Sequence, residues 1–289
     1  LLLLGDVDYD AAPGEDAAPK KRQPRRAGES RSPTDAKPFA PLDGAAGEIA
    51  ALKDLYGQLF EVKTDDPRAL VKAQADEAQF RTLAPQYRHL HLATHGFFAG
   101  AQFTSALGGR AAAPQDRALL TNREAVVTGY NPGLLSGLAL TGANLEPSSR
   151  ADDGIPSAQE IGVLDLSGVD TVVLSACDTG LGETAGGEGL LGVQRAFQTA
   201  GVRTTVASLW KVNDLATRAL MERFYRNLWE KELSRLDALR EAQLWMLKGG
   251  TGRAPRLTTL PEAAESATPE TKRTSPYYWA PFVLSRDWR

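Results

Sequence analysis

The sequence predicts an α/β fold built around a doubly wound, mostly parallel sheet. Two observations predict it. Short apolar runs recur along the chain without a polar residue at every second position, as in strands covered on both faces. Between them lie segments whose apolar residues recur at helical spacing, and strands alternating with helices imply crossover connections.

The elements follow in order. Residues 1–4, four leucines, read as a core strand. Ile49, Leu52, Leu55, Tyr56 and Leu59 share one helical face. Residues 69–72 form a weaker strand, and Asp76 with Gln79 three residues on marks a helix start before Phe80 and Leu83. Residues 90–93, 171–176 and 204–209 are strands of β-branched and apolar residues. Leu190, Val193 and Phe197 line one side of a helix over 189–199. Leu220, Phe224 and Leu228 line another over 214–230. Ser234 and Asp237 open a last helix that Gly249-Gly250 ends, before a final strand at 280–284. A small β-hairpin is expected around residues 137–140 within the irregular stretch 97–156. Two further stretches, 11–41 (Pro, Ala and charge) and 250–275 (Thr, Ala, Pro and Glu), read as mobile loops inserted between core elements.

At 289 residues with 42% hydrophobic and 24% charged content, the composition is that of a globular domain. A net charge of −3 gives no electrostatic footprint for nucleic acid. The basic cluster Lys20-Lys21-Arg22 with Arg25-Arg26 reads as a solvated loop. The opening leucines are too short for a signal segment or a membrane span. With no initiator Met, they imply that upstream sequence is missing. A single cysteine allows no intrachain disulfide and favours a reducing, cytoplasmic setting.

That cysteine, Cys177, closes the 171–176 strand, and His95-Gly96 closes the one at 90–93. The C-terminal edge of a parallel sheet is where ligands bind. If the two strands are neighbours, a thiol and an imidazole face one crevice, the arrangement that nucleophilic catalysis needs. The N–H groups of Gly96 and Cys177 are the natural oxyanion donors. Alone, a cysteine at a strand end is usually a small buried hydrophobe. His89 and His91 alternate with leucines inside the strand and are poorer candidates. Three histidines so close also fit a metal site, but no acid or cysteine lies near them, so no metal and no cofactor is assigned. Gly187-Glu188-Gly189-Leu190-Leu191-Gly192 matches G-x-G-x-x-G but does not directly follow a strand. It reads as a flexible loop that, with Asp178, borders the cleft. The same glycine-rich segment, 178–189, is the candidate for a partner-sensitive switch. After the 204–209 strand, Asn213 and Asp214 serve equally as helix cap or, for Asp214, as an acid facing a basic substrate group. The segment around Trp210 is a cleft wall that could pair with an extended peptide.

Taken together, Leu90-His91-Leu92-Ala93-Thr94-His95-Gly96, Leu174-Ser175-Ala176-Cys177, Gly187-Glu188-Gly189 and Ala207-Ser208-Leu209-Trp210-x-Val212-x-Asp214 resemble the CHAT domain family. So does the ending Tyr277-Tyr278-Trp279-Ala280-Pro281-Phe282. The resemblance spans nearly the whole chain, read as one CHAT domain. It implies a caspase–hemoglobinase fold with a mostly parallel six-stranded sheet, a His95–Cys177 dyad, a peptide substrate, and upstream tetratricopeptide repeats or a regulatory protein, in a bacterial setting. The more distant separases carry a similar Leu-Trp-x-Val-x-Asp element whose acid helps bind a basic P1 residue, which makes Asp214 the candidate for the S1 pocket. Metacaspase-type relatives place an acid two residues before the nucleophile, and here that position holds Ser175. The family's frequent Glu after the cysteine is replaced by Asp178. A non-catalytic signalling module is the alternative expectation, and a nucleotide-binding domain a third.

Overall fold

The computed structural model describes residues 1–13, 38–61, 66–98, 132–145, 152–175, 188–210, 213–250 and 274–288. Six strands form the main sheet: β1 (Leu2–Val7), β2 (Arg68–Lys72), β3 (His89–Ala93), β6 (Thr171–Leu174), β7 (Thr204–Ser208) and β8 (Phe282–Arg286). Their spatial order is β2-β1-β3-β6-β7-β8, and every pair is parallel except β7 with β8. All six strands expected from the sequence are present. The weak one, β2, is an edge strand with only Leu70 fully covered, which is why its pattern is faint.

Alternate side chains of each strand enter two separate cores. On one face Leu2, Leu4, Leu90, Leu92, Val172 and Leu174 pack under α2 (Glu77–Leu83), α3 (Ala158–Gly162) and α4 (Glu188–Thr199), with Phe80, Ile161 and Phe197 buried there. On the other, Leu3, Ala93, Val173 and Val206 meet α1 (Ala45–Leu59), α5 (Asp214–Trp229) and α6 (Arg235–Leu247). Helices on both faces make the sheet doubly wound, as its unbroken apolar strands require.

The caps follow the sequence signals. Asp76 accepts from Gln79 N at 2.7 Å, and Ser234 accepts from Asp237 N at 3.1 Å. Gly249 and Gly250, at φ +87° and +57°, end α6 in the left-handed region. Asn213, and not Asp214, caps α5, its Oδ1 accepting from Ala216 N at 3.2 Å. Asp214 is the first helical residue. Glu188 and Gly189, expected to belong to the cleft loop, are the first two residues of α4.

Three elements escaped the sequence reading. Helix α3 begins with a reciprocal capping box between Ser157 and Glu160. That signal is legible, but the helix spans one turn. Helix α7 (Pro276–Trp279) is shorter still. The third is β4 (Gly96–Phe98), which pairs antiparallel with β5 (Ser136–Leu138). The hairpin expected around 137–140 is therefore a long-range pair, joining the segment after His95 to a strand some forty residues on. Gly137 is required there, because a Cβ would lie 2.5 Å from Pro156 O and 2.7 Å from the Phe97 ring. The mobile loops expected at 11–41 and 250–275 fall largely outside the described residues.

Candidate functional site

His95 lies at the C-terminal end of β3, beside the point where the sheet order reverses between β1 and β3, and is 4% exposed. Chain crossovers leave on opposite sides there, which is where open α/β sheets bind ligands. Tyr9, just past β1, and Phe39, from the segment entering α1, lie against the imidazole, with ring centroids 5.3 and 5.6 Å away. His95 Nε2 donates to the carbonyl oxygen of Ala40 at 2.7 Å. A carbonyl can only accept, so Nε2 carries the hydrogen, and in the neutral ring Nδ1 is left with the lone pair.

This setting is held by groups that no sequence motif revealed. Asn144 binds the Phe39 backbone twice. Its Oδ1 accepts from Phe39 N at 2.7 Å, and its Nδ2 donates to Phe39 O at 2.9 Å. Asn144 N also donates to Tyr9 O at 3.0 Å, so one residue ties both rings that flank His95. The Tyr9 hydroxyl bonds Thr94 Oγ1 at 3.0 Å, and Thr94 in turn donates to Ala139 O. Burial pushes the Tyr9 phenol up to about 12, so it remains protonated.

Gly96 begins β4, opposite Leu138. Ala139 N donates to His95 O at 2.9 Å, while Leu138 N points the other way, to Pro156 O at 3.1 Å. Pairs in an antiparallel ladder alternate, so the 96–138 pair is the non-hydrogen-bonded kind and Gly96 N–H faces away from β5. A backbone donor next to His95 is thereby free of the ladder.

Neighbouring β6 carries Ser175 one residue past its end. Ser175 Oγ donates to Glu48 Oε1 at 2.6 Å, and the same oxygen receives His91 Nε2 at 3.1 Å. His91 Nδ1 meets the Tyr225 hydroxyl at 3.2 Å. The four side chains, from α1, β3, β6 and α5, form one buried chain of hydrogen bonds beneath the sheet edge. Burial, and then the negative charge of Glu48, hold the Tyr225 phenol well above its ordinary value. Periodicity marked Tyr225 only as a helix position, and Glu48 gave no signal: a lone Glu on a helix ordinarily faces water.

His95, Gly96, Ser175 and Asp214 thus gather at one edge of the sheet. Asp214 is exposed, and its side chain packs against Gly44, the residue that precedes α1. His89 sits inside the sheet against Trp229, with centroids 6.0 Å apart. Cys177, Asp178 and Gly187, and the side chain of Glu188, lie outside the described residues. Among the described residues no three His, Cys, Asp or Glu side chains group as metal ligands, and no helix is long and apolar enough to cross a membrane.

No curated protein matches the chain. The family model of the CHAT domain matches residues 11–287, which takes in His95, Ser175, Asp214 and Cys177 together with five of the six strands of the main sheet. The chain belongs to the CHAT domain family, a caspase-like family often related to peptidases.

Proposed function

We propose that the protein is a cysteine endopeptidase in which Cys177 is the nucleophile and His95 its proton partner. One observation carries the reading. Strands β3 and β6 are adjacent and parallel, with Leu92 opposite Leu174, and Ser175 N donates to Leu92 O at 2.9 Å. The register offset, 174 − 92 = 82, equals 177 − 95 = 82. The same offset at positions 95 and 177, which have the parity of one strand face, supports pairing the histidine with the cysteine.

The Cys177 sulfur attacks the scissile carbonyl, forming a carbon–sulfur bond as the carbonyl electrons move to oxygen. The N–H of Gly96, turned away from β5, and that of Cys177 stabilise the oxyanion. His95 exchanges protons through Nδ1, because Nε2–H is committed to Ala40 O. Its Nδ1 takes the thiol proton as the sulfur attacks and gives that proton to the leaving amine as the carbon–nitrogen bond breaks. It then accepts a proton from the water that hydrolyses the thioester and returns it to the sulfur as the carbon–sulfur bond breaks. The Ala40 carbonyl orients the ring, so the mechanism needs no third carboxylate. In this reading Asp214 and Ser175 serve a basic P1 residue, the segment that holds Asp178, Gly187, Glu188 and Gly189 serves as the cleft loop, and upstream repeats or a regulatory protein control access in a bacterial cytoplasm.

The test is proteome-wide mapping of cleavage sites with the full-length protein beside its Cys177→Ala variant. The expected result is a set of sites that vanishes in the variant while its melting temperature is kept. Sites that persist in Cys177→Ala sink the reading, and no cleavage by either protein leaves the signalling-module alternative.

A further inference from the structure

We propose that Glu48, at the start of α1, is the specificity-determining acid of this site and receives the cationic end of an Arg or Lys side chain at P1. The inference rests on the peptidase reading and deepens it. Position 175, two residues before Cys177, is a serine, so the strand itself supplies no charge there. Its hydroxyl instead holds a carboxylate from 127 residues away, donating to Glu48 Oε1 at 2.6 Å.

Three observations fit Glu48 to a cationic ligand. Its side chain is 6% exposed, and among the described residues no Lys or Arg pairs with it. Its one basic neighbour is His91. His91 Nε2 meets Glu48 Oε1 at 3.1 Å and His91 Nδ1 meets the Tyr225 hydroxyl at 3.2 Å, so the network closes without a Lys or Arg. A buried carboxylate with no Lys or Arg beside it among the described residues is costly, and a ligand's cationic group lowers that cost. Finally, both bonds fall on Oε1, so Oε2 accepts from none of the described residues and keeps its acceptor sites for a guanidinium or ammonium.

Location agrees. Glu48 lies one helical turn beyond Gly44, against which Asp214 packs, so both acids lie on the α1/α5 side of the sheet. Asp214 is exposed and Glu48 is enclosed. An exposed carboxylate contributes little to binding, while an enclosed one contributes strongly, so selectivity belongs to Glu48 and Asp214 serves the approach.

The experiment measures kcat/KM on peptides that differ only at P1 (Arg, Lys, norleucine, Asp). It compares the full chain with Glu48→Gln, Asp214→Asn and Cys177→Ala, each checked by circular dichroism and thermal melting. The wild type is expected to prefer Arg or Lys. Glu48→Gln should lower the Arg-to-norleucine ratio by about 30-fold or more, and Asp214→Asn by less than about fivefold. A wild type that prefers norleucine or Asp overturns the proposal without any variant. If Glu48→Gln fails to fold, Glu48→Asp is read instead. It keeps the charge one methylene back, and an Arg-to-Lys ratio that does not move by about tenfold overturns the assignment. A ratio that survives Glu48→Gln, or collapses in Asp214→Asn instead, removes Glu48 and leaves the peptidase reading standing. Cleavage that persists in Cys177→Ala, or is absent from the wild type, ends both.

Discussion

Two buried titratable side chains act on stability in opposite directions. Burial lowers His89 to about 4, so the folded state resists a proton that the unfolded chain takes up near pH 6.5. The stability this contributes is complete above pH 6.5 and is lost as pH falls towards 4. Burial raises Glu77 to about 7, with the Arg81 guanidinium 3.5 Å away opposing the shift and Glu160 and Asp153 reinforcing it. Its contribution is complete below pH 4.5 and is lost as pH rises to 7. Between pH 4.5 and 6.5 the two slopes, each about 1.4 kcal/mol per pH unit, largely cancel. Urea unfolding across that range should therefore reveal a rising stability in Glu77→Gln and a falling one in His89→Leu. Parallel profiles in the two variants would contradict these assignments. Tyr225→Phe leaves His91 Nδ1 without its donor and should cost about 1–3 kcal/mol by the same measurement.

At the scale of elements, the sheet edge that carries His95 depends on short pieces that have little stability of their own. Strands β4 and β5 are three residues each, and they hold the His95 carbonyl through Ala139 N. Gly137 lets β5 lie between the Phe97 ring and Pro156, so Gly137→Ala forces a backbone shift in that layer. It should lower stability by about 1–3 kcal/mol, and peptide cleavage should fall further than the lost folded fraction explains. Equal losses would mean that β5 is only structural. These pieces were poorly legible in sequence. Runs of three residues carry no periodicity, and Gly96-Phe97-Phe98 finds its partner across a stretch with no pattern linking the two. The longer helices α1, α5 and α6 were legible because each buries a continuous stripe over several turns.

For the molecule as a whole, the edge of the sheet opposite the site is clamped by one acid. Asp170, 4% exposed and just before β6, bonds Arg88 Nε at 2.7 Å, with Arg203 at 3.4 Å and Arg235 at 3.7 Å. These residues precede β3, β6 and β7 and open α6, so a single carboxylate fastens the strands whose far ends carry His95 and Ser175. Asp170→Ala removes the shared acceptor of three arginines, two of them largely solvated, and should cost about 1–3 kcal/mol in chemical unfolding. A loss under about 1 kcal/mol would show that the arginines are satisfied by water.

The amino-acid sequence by itself determined the six strands, the longer helices and the caps at Asp76 and Ser234, and it marked His95 and Cys177 as the place to look for chemistry. Each rests on short-range regularity, a repeat of two or 3.6 residues or a residue type at a fixed offset, and these are properties of neighbouring positions. Tertiary structure alone decided the strand order that sets β3 beside β6, the Ala40 carbonyl that fixes the His95 tautomer, the Asn144 tie between Tyr9 and Phe39, and the delivery of Glu48 to Ser175. These contacts join segments tens to more than a hundred residues apart. They form because burying a polar group obliges it to find a partner wherever packing has placed one, and no local pattern encodes that choice.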